Sequence, residues 1–195
     1  MGCCIPSFAG ELERTFICLE IPSVQRSALA AWINEHRNLT DEIRWVRAEN
    51  LHITLKFCGE RPHEIVQQIL KKLSNRKPTG ELTLALSGIG AFPKLERARV
   101  VYTGIEGQSG KLIALAKEVS RIAQSCGAEL SQKAFTPHVT LGRRTEFCTL
   151  SAGVFEALRS AKLQLEPWTA TEFIYMRSKL LPTGAQYSEI GRFKI

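Results

Sequence analysis

"LHITLKF" (residues 51–57) decides how this chain is read. Polar and apolar residues alternate along it, the period of a β-strand with one buried face. Strict alternation places His52, Thr54 and Lys56 on one face and turns Ile53, Leu55 and Phe57 towards a core. An imidazole and a hydroxyl then stand side by side on a rigid element, a sound way to hold a site in shape. "PHVTLGR" (137–143) repeats the pattern in the other half of the chain. There His138 and Thr140 share a face, Val139 and Leu141 point inward, and alternation leaves Arg143 out of phase with His138 and Arg144 in phase.

The flanking text alternates between strand and helix signals. "RTFICLEIP" (14–22) reads as a strand closed by Pro22. Residues 23–38 read as a helix, with Ser23 at the N-cap and Val24, Leu29, Trp32 and Ile33 at helical spacing. "IRWV" (43–46) is a short strand, and the strand of 51–59 ends at Gly59. Residues 62–76 form a helix with Pro62 in its first turn and a stripe of Ile65, Ile69 and Leu73. Strands follow at 80–92 and 98–106, then a helix at 109–127 stopped by Gly127. The second motif strand spans 137–144, a helix lies near 151–160, and strands fall near 162–166, 170–178 and 185–193. The order runs through strand, helix and strands and then repeats. It gives two similar α+β lobes, each about half the chain, packed as one unit of residues 12–195 behind a flexible extension of 1–11.

Bulk properties narrow the classes. At 195 residues the chain can bury a core. No apolar run reaches the roughly 18–20 residues of a membrane span, and no secretory signal is visible, so a cytoplasmic protein is expected. Lys and Arg number 26 against 19 Asp and Glu, a formal charge of +7 that favours anionic partners such as nucleic acid or phosphate esters. The six cysteines make no disulfide framework and no C-x-x-C pair, and Cys18 and Cys58 fall inside strand patterns as small apolar residues. "MGCC" at the start suggests lipidation, but Pro6 stands where a myristoylation signal needs Ser or Thr. "GQSGKL" (107–112) is no phosphate loop, because Leu112 follows Lys111; it reads as a turn into a helix. "GIGAF" (88–92) lacks the third glycine of a dinucleotide fingerprint.

Two lobes that face each other bring two imidazoles and two hydroxyls around one small volume. One imidazole can act as base and the other as acid near neutral pH. Hydroxyls and a nearby cation can hold phosphate oxygens as charge builds on them. That is what in-line opening of a phosphodiester requires. Zinc would need a third ligand, and neither motif strand offers a carboxylate or cysteine in phase. Of the other two histidines, His36 suits the C-terminal end of its helix and His63 an exposed first turn.

The paired "HITL" and "HVTL" resemble the two H-x-T-x motifs of the 2H phosphoesterase superfamily, and more closely its RNA 2′,3′-cyclic phosphodiesterases, the LigT/ThpR or 2′-5′ RNA ligase family. "RTFICLEIP", "IRWVRAENLHITLKFCGE", "LSGIGAFP", "FTPHVTLGRR" and "FIYMRSKLLPTGAQYSEIGRF" carry the likeness in order along residues 12–195. The resemblance implies an α+β, bilobal fold with two pseudo-symmetric lobes of antiparallel sheet, outer helices and a central cleft. It implies hydrolysis of RNA 2′,3′-cyclic phosphate ends to 2′-phosphates, with no cofactor or metal, and the reverse 2′-5′ joining at the same site. By motif position His52 is then the proton donor to the leaving 3′ oxygen and His138 the acceptor of a proton from water. Thr54 and Thr140 bind phosphate oxygens, and Arg143 contacts phosphate. The expected partner is RNA with a cyclic-phosphate end, or a cyclic nucleotide, acted on by a monomer. The rival class is a non-catalytic RNA or nucleotide binder on the same scaffold.

Overall fold

The computed structural model describes residues 11–94, 98–130, 134–144, 151–160, 163, 165–182 and 184–195. In chain order the elements are β1 (Leu12–Glu20), α1 (Ser23–His36), β2 (Ile43–Trp45), β3 (His52–Pro62), α2 (His63–Ser74), β4 (Leu82–Phe92) and β5 (Val100–Gly107). Then come α3 (Ser109–Gln124), β6 (His138–Arg144), α4 (Ala152–Ser160), β7 (Trp168–Ala170), β8 (Glu172–Leu181) and β9 (Gly184–Lys194). The expected extension at the N-terminus falls almost wholly outside the described residues, as do Cys3, Cys4 and Cys148.

The nine strands form one sheet in the order β7-β4-β5-β6-β3-β1-β8-β9, with β2 beside β6, and every pairing is antiparallel. The two lobes are the halves of that sheet, meeting at β3 and β6 through one registered pair, Ile53 with Val139. They are not the two halves of the chain. Strands β8 and β9, late in sequence, complete the lobe begun by β1 and β3, while the early β2 pairs with β6 across the divide. Ile53 and Val139 are fully buried and join one core with Val66, Ile69 and Leu73 of α2 and with Leu112, Leu115 and Val119 of α3. A smaller cluster, Phe16, Cys18 and Ile174 under Met176 and Tyr187, lies apart from that core. β1 is therefore buried on both faces, which its alternating text does not reveal.

Several local expectations shift. Pro22, with no side-chain cap, precedes α1, so Ser23 is its first residue, and Val24 is exposed while Leu29, Trp32 and Ile33 are buried. In α2 Pro62 sits at the N-cap, and Val66 takes the buried place beside Ile69 and Leu73 while Ile65 is only partly covered. Gly127 ends α3 with φ +96°, as a helix stop requires. The strand expected near 162–166 falls partly outside the described residues, and the strand found there is β7 at 168–170. β3 does not stop at Gly59 but runs through it to Pro62; Gly59 has φ +75°, a left-handed turn of the backbone inside a strand.

The larger correction concerns phase. Cys18 pairs with Thr54 but Ile17 with Lys56, so Leu55 is an extra residue in β3. Tyr102 pairs with Thr140 but Val101 with Gly142, so Leu141 is an extra residue in β6. Both motif strands thus carry a bulge at the same leucine. A bulge adds one residue to one strand and exchanges the faces beyond it. Beyond Leu55, Lys56 turns inward and Phe57 outward, the reverse of strict alternation; Lys56 is buried and Phe57 is 54% exposed. Beyond Leu141, Arg143 swings onto the face of His138 and Thr140. Gly142 lets β2 approach here, since a Cβ would run into the Ile43 side chain.

Candidate active site

The single pair between the lobes fixes the site. With Ile53 opposite Val139 in antiparallel register, His52 comes across from Thr140 and Thr54 across from His138. Ile53 and Val139 point into the core, so all four polar side chains stand on the other face, half-buried. The two motifs are thereby related by a local twofold, and each imidazole has a hydroxyl from both strands nearby.

Each ring is held the same way. His52 Nδ1 lies 2.7 Å from the Asn50 carbonyl, and His138 Nδ1 lies 2.7 Å from the Thr136 carbonyl. A carbonyl only accepts, so Nδ1 carries the proton in both and Nε2 is left for chemistry. In the neutral ring His52 Nε2 accepts from the Thr54 hydroxyl at 2.9 Å. Aromatic rings pack each imidazole. Phe16 stacks on His52 at 4.9 Å and Tyr187 meets it edge-on at 5.5 Å. Phe92 and Tyr102, stacked on each other, both meet His138 edge-on at 5.0 and 5.4 Å. Gly90 of the "GIGAF" stretch makes this second cage possible, because a Cβ there would strike the Tyr102 ring. Gly90→Ala is expected to cost about 1–3 kcal/mol of stability through overpacking and to lower turnover by displacing the support of His138. Thermal unfolding read alongside turnover checks both.

These cages desolvate the rings. Burial pushes the His52 pKa down to about 4, with smaller downward contributions from the charges of Arg143 and His138 and an upward one from the Asn50 hydrogen bond. His138 is lowered too, again chiefly by burial and then by Arg143, against the Thr136 bond. The fold therefore favours neutral His52. Between pH 4 and about 6.5 the unfolded chain binds a proton there that the folded chain does not, so stability rises with pH across that window and is flat above it. The expected gain is up to about 3 kcal/mol, and His52→Asn should remove it from a series of denaturant midpoints taken from pH 4 to 7.

Arg143 lines one hollow together with Thr54, His138 and Thr140, and its charge acts to lower the pKa of both imidazoles. All five residues singled out in the sequence therefore converge. Lys56 does not join them: it is buried, and its ammonium donates to the Glu129 carbonyl at 2.6 Å. His36 ends α1 with Nδ1 donating to the Trp32 carbonyl at 2.7 Å and its ring stacked on Trp32. His63 is exposed as expected but is also paired with Glu13 at 2.6 Å. Sequence reasoning missed the cage residues Phe16, Tyr187, Phe92 and Tyr102, and missed Phe57. A signal was present: an aromatic residue recurs in the strands flanking each motif.

Two hollows flank the polar cluster. One of about 380 Å³ lies on the His52 side, lined by Phe16 and Tyr187 and by charges of both signs, Arg26, Arg47, Glu20 and Glu49. The other, about 840 Å³, lies on the His138 side and includes Thr54, Thr140, Arg143 and Phe57.

A two-lobed antiparallel sheet that brings a pair of His-x-Thr strands together across one seam defines a phosphoesterase of the 2H type. The chain belongs to the LigT-like phosphoesterase family, whose model matches residues 19–102 and 105–187, one motif in each segment. The chain is similar to the RNA 2′,3′-cyclic phosphodiesterase of Archaeoglobus fulgidus, 31% identical over 182 residues that cover 93% of this chain and 99% of the relative. It is 39% identical over 101 residues to the RNA 2′,3′-cyclic phosphodiesterase of Aeropyrum pernix; there the match spans 52% of this chain and little more than half, 57%, of the relative. Among solved structures, Escherichia coli LigT complexed with 3′-AMP matches with a TM-score of 0.73 at 26% identity, covering 95% of this chain and 99% of that one. Among the described residues no helix is long and apolar enough to cross a membrane.

Proposed function

We propose that this chain opens RNA 2′,3′-cyclic phosphate ends to 2′-phosphomonoesters by acid–base catalysis from paired histidines. The observation that carries the reading is the Ile53–Val139 register, which sets two imidazoles, each with Nδ1 tied to a carbonyl, across one cleft. The relatives named as RNA 2′,3′-cyclic phosphodiesterases support the substrate class. Residues 12–195 act as one catalytic unit, since each lobe draws on both ends of the chain. In this mechanism His138 Nε2 takes a proton from water as the oxygen attacks phosphorus. The phosphorus–O3′ bond breaks on the opposite side, and O3′ takes the proton held by His52 Nε2. Thr54, Thr140 and Arg143 hold the non-bridging oxygens as their charge grows.

Burial bears on the acid. A ring with a pKa near 4 is mostly neutral in the free protein at pH 7. A bound phosphodiester anion beside it favours the imidazolium and raises that pKa. The alkaline limb of the kcat profile, which reports the complex, is therefore expected at higher pH than the alkaline limb of kcat/KM, which reports the free protein. Coincident limbs would show that substrate does not charge the acid.

The reaction is tested with a short RNA ending in a 2′,3′-cyclic phosphate, incubated with EDTA and followed by phosphorus NMR. A 2′-phosphate product is expected. A 3′-phosphate would reverse the regiochemistry, and tight binding of the intact cyclic end without product would favour the non-catalytic binder.

A further inference from the structure

We propose that Asn50 is a positioning residue for the acid: its side-chain amide ties the His52 end of the site to the hairpin of β8 and β9, and so aims His52 at the leaving oxygen. The inference rests on the hydrolytic reading above, in which His52 gives its proton to O3′. Proton transfer is efficient only when the donor is held in reach of the leaving atom and in line with it. An imidazole on a rigid strand can still turn about its own side-chain bonds, so a further contact must stop it. For His52 that contact is the bond from Nδ1 to the Asn50 carbonyl at 2.7 Å.

Asn50 is itself held from two directions. Along the chain it closes a tight turn: its N–H donates to the Arg47 carbonyl at 2.9 Å, and the N–H of Leu51 donates to the Ala48 carbonyl at 3.2 Å. Leu51, the next residue, is buried in the main core. Across the sheet, Asn50 Nδ2 donates to the Ala185 carbonyl of β9 at 2.9 Å, joining residues 135 apart in sequence. Ala185 lies two residues before Tyr187 and shares its face of β9. Tyr187 is the ring that meets His52 edge-on. β9 therefore reaches the imidazole twice, through the Tyr187 ring and through Asn50. The hollow on the His52 side is lined by Leu181, Ala185 and Tyr187 of the hairpin and by Asn50 and Leu51, and the Asn50 amide links the two groups. The two motifs differ in this respect. Thr136, whose carbonyl holds His138, has no side-chain hydrogen bond to another strand among the described residues.

The tether also has an electrostatic side. Burial lowers the His52 pKa, and the Asn50 bond works against it by favouring the charged ring. The other ionisable groups about the ring are His138 and Arg143 of β6, Tyr187 of β9, and Cys18 and Glu20 of β1. Arg26, Arg47 and Glu49 line the same hollow. Replacing Asn50 leaves every one of these groups in the chain, so a change confined to the acid reports the tether. A weaker Asn50 bond lets the His52 pKa fall further, and the acid is then lost at lower pH.

The test compares the full chain with Asn50→Leu, which keeps nearly the same volume but has no donor, on a 2′,3′-cyclic mononucleotide. kcat is expected to fall about tenfold with KM within about twofold, because the ground state is bound as before and the acid is misaimed. The alkaline limb of kcat/KM should move to lower pH, while the acidic limb, set by His138, stays in place. Asn50→Ala, which removes the amide without adding an apolar group, should behave alike. Proton NMR gives a readout independent of turnover: the Nδ1 proton of His52 should exchange with water faster in both variants, and that of His138 at its former rate. Full kcat with an unmoved alkaline limb, or a loss confined to the leucine variant, overturns the proposal. Equal movement of both limbs or of both ring protons also overturns it, by making Asn50 a brace of the whole seam. If the unaltered chain opens no cyclic mononucleotide, the hydrolytic reading itself fails, and the exchange of the His52 proton still decides whether the tether holds the ring.

Discussion

Alanine at His52 or at His138 is expected to slow cyclic-phosphate opening by about 10²–10⁴-fold while the protein stays folded. Neither ring supports the main core: both stand on the face opposite Ile53 and Val139. Their replacement leaves the sheet register intact and removes a protonic function from each side of phosphorus. The two variants should also fail differently. Without His138 the acidic limb of the pH–rate profile disappears, because nothing remains that must be deprotonated to accept the proton of water. Without His52 the alkaline limb disappears, because no acid remains to be lost. Turnover near the unaltered rate in either variant, with unfolding behaviour preserved, would falsify the paired-histidine mechanism. Exchanged roles would swap the limbs lost, and loss of the same limb in both would mean that the two rings share one protonic function.

Arg143→Ala is expected to lower kcat by about 10²-fold, the size of effect seen when one donor to a developing oxyanion is removed. The expectation follows from where the Leu141 bulge puts the side chain. Its charge already reaches both imidazoles, and a phosphate seated between them lies within the same field. Arg143→Lys should recover only part of the loss, since a point charge replaces a planar fork that can hold two oxygens. Steady-state kinetics separate the possibilities. A fall in kcat marks an interaction that strengthens in the transition state; a rise in KM alone reduces Arg143 to holding the ground state. Free of the guanidinium, both histidines should also titrate slightly higher, which proton NMR of the rings can follow.

Much of the site was legible in the sequence because strand periodicity is local. "HITL" and "HVTL" each reveal which side chains share a face over the first four residues, and the structure keeps that face. The pattern fails from the fifth residue onward, because the leucine in fourth place is an extra residue set by pairing with β1 and β5. Those partners are distant in sequence and leave no mark in the motif itself. Arg143 therefore looked out of phase and Phe57 looked buried. The lobes were misread for a related reason. The repeated element order is genuine, yet strands pair by fit rather than by order, so β8 and β9 return to β1 while β2 crosses to β6. The depressed basicity of His52 was equally hidden, since it depends on Phe16 and Tyr187, which come from opposite ends of the chain.

That exchange of strands has a consequence for dissection. Dividing the gene after Gly107 yields two fragments with one motif apiece, which look like two half-enzymes. Neither would be one. The first would leave the β1 edge bare where β8 and β9 belong and would carry β2 with no strand to pair with. The second would carry β8 and β9 with their own partner missing. Each piece holds what the other lacks, so co-expression should restore a particle that neither yields by itself. The protein is closer to a clasp of two interlocked parts than to a pair of beads.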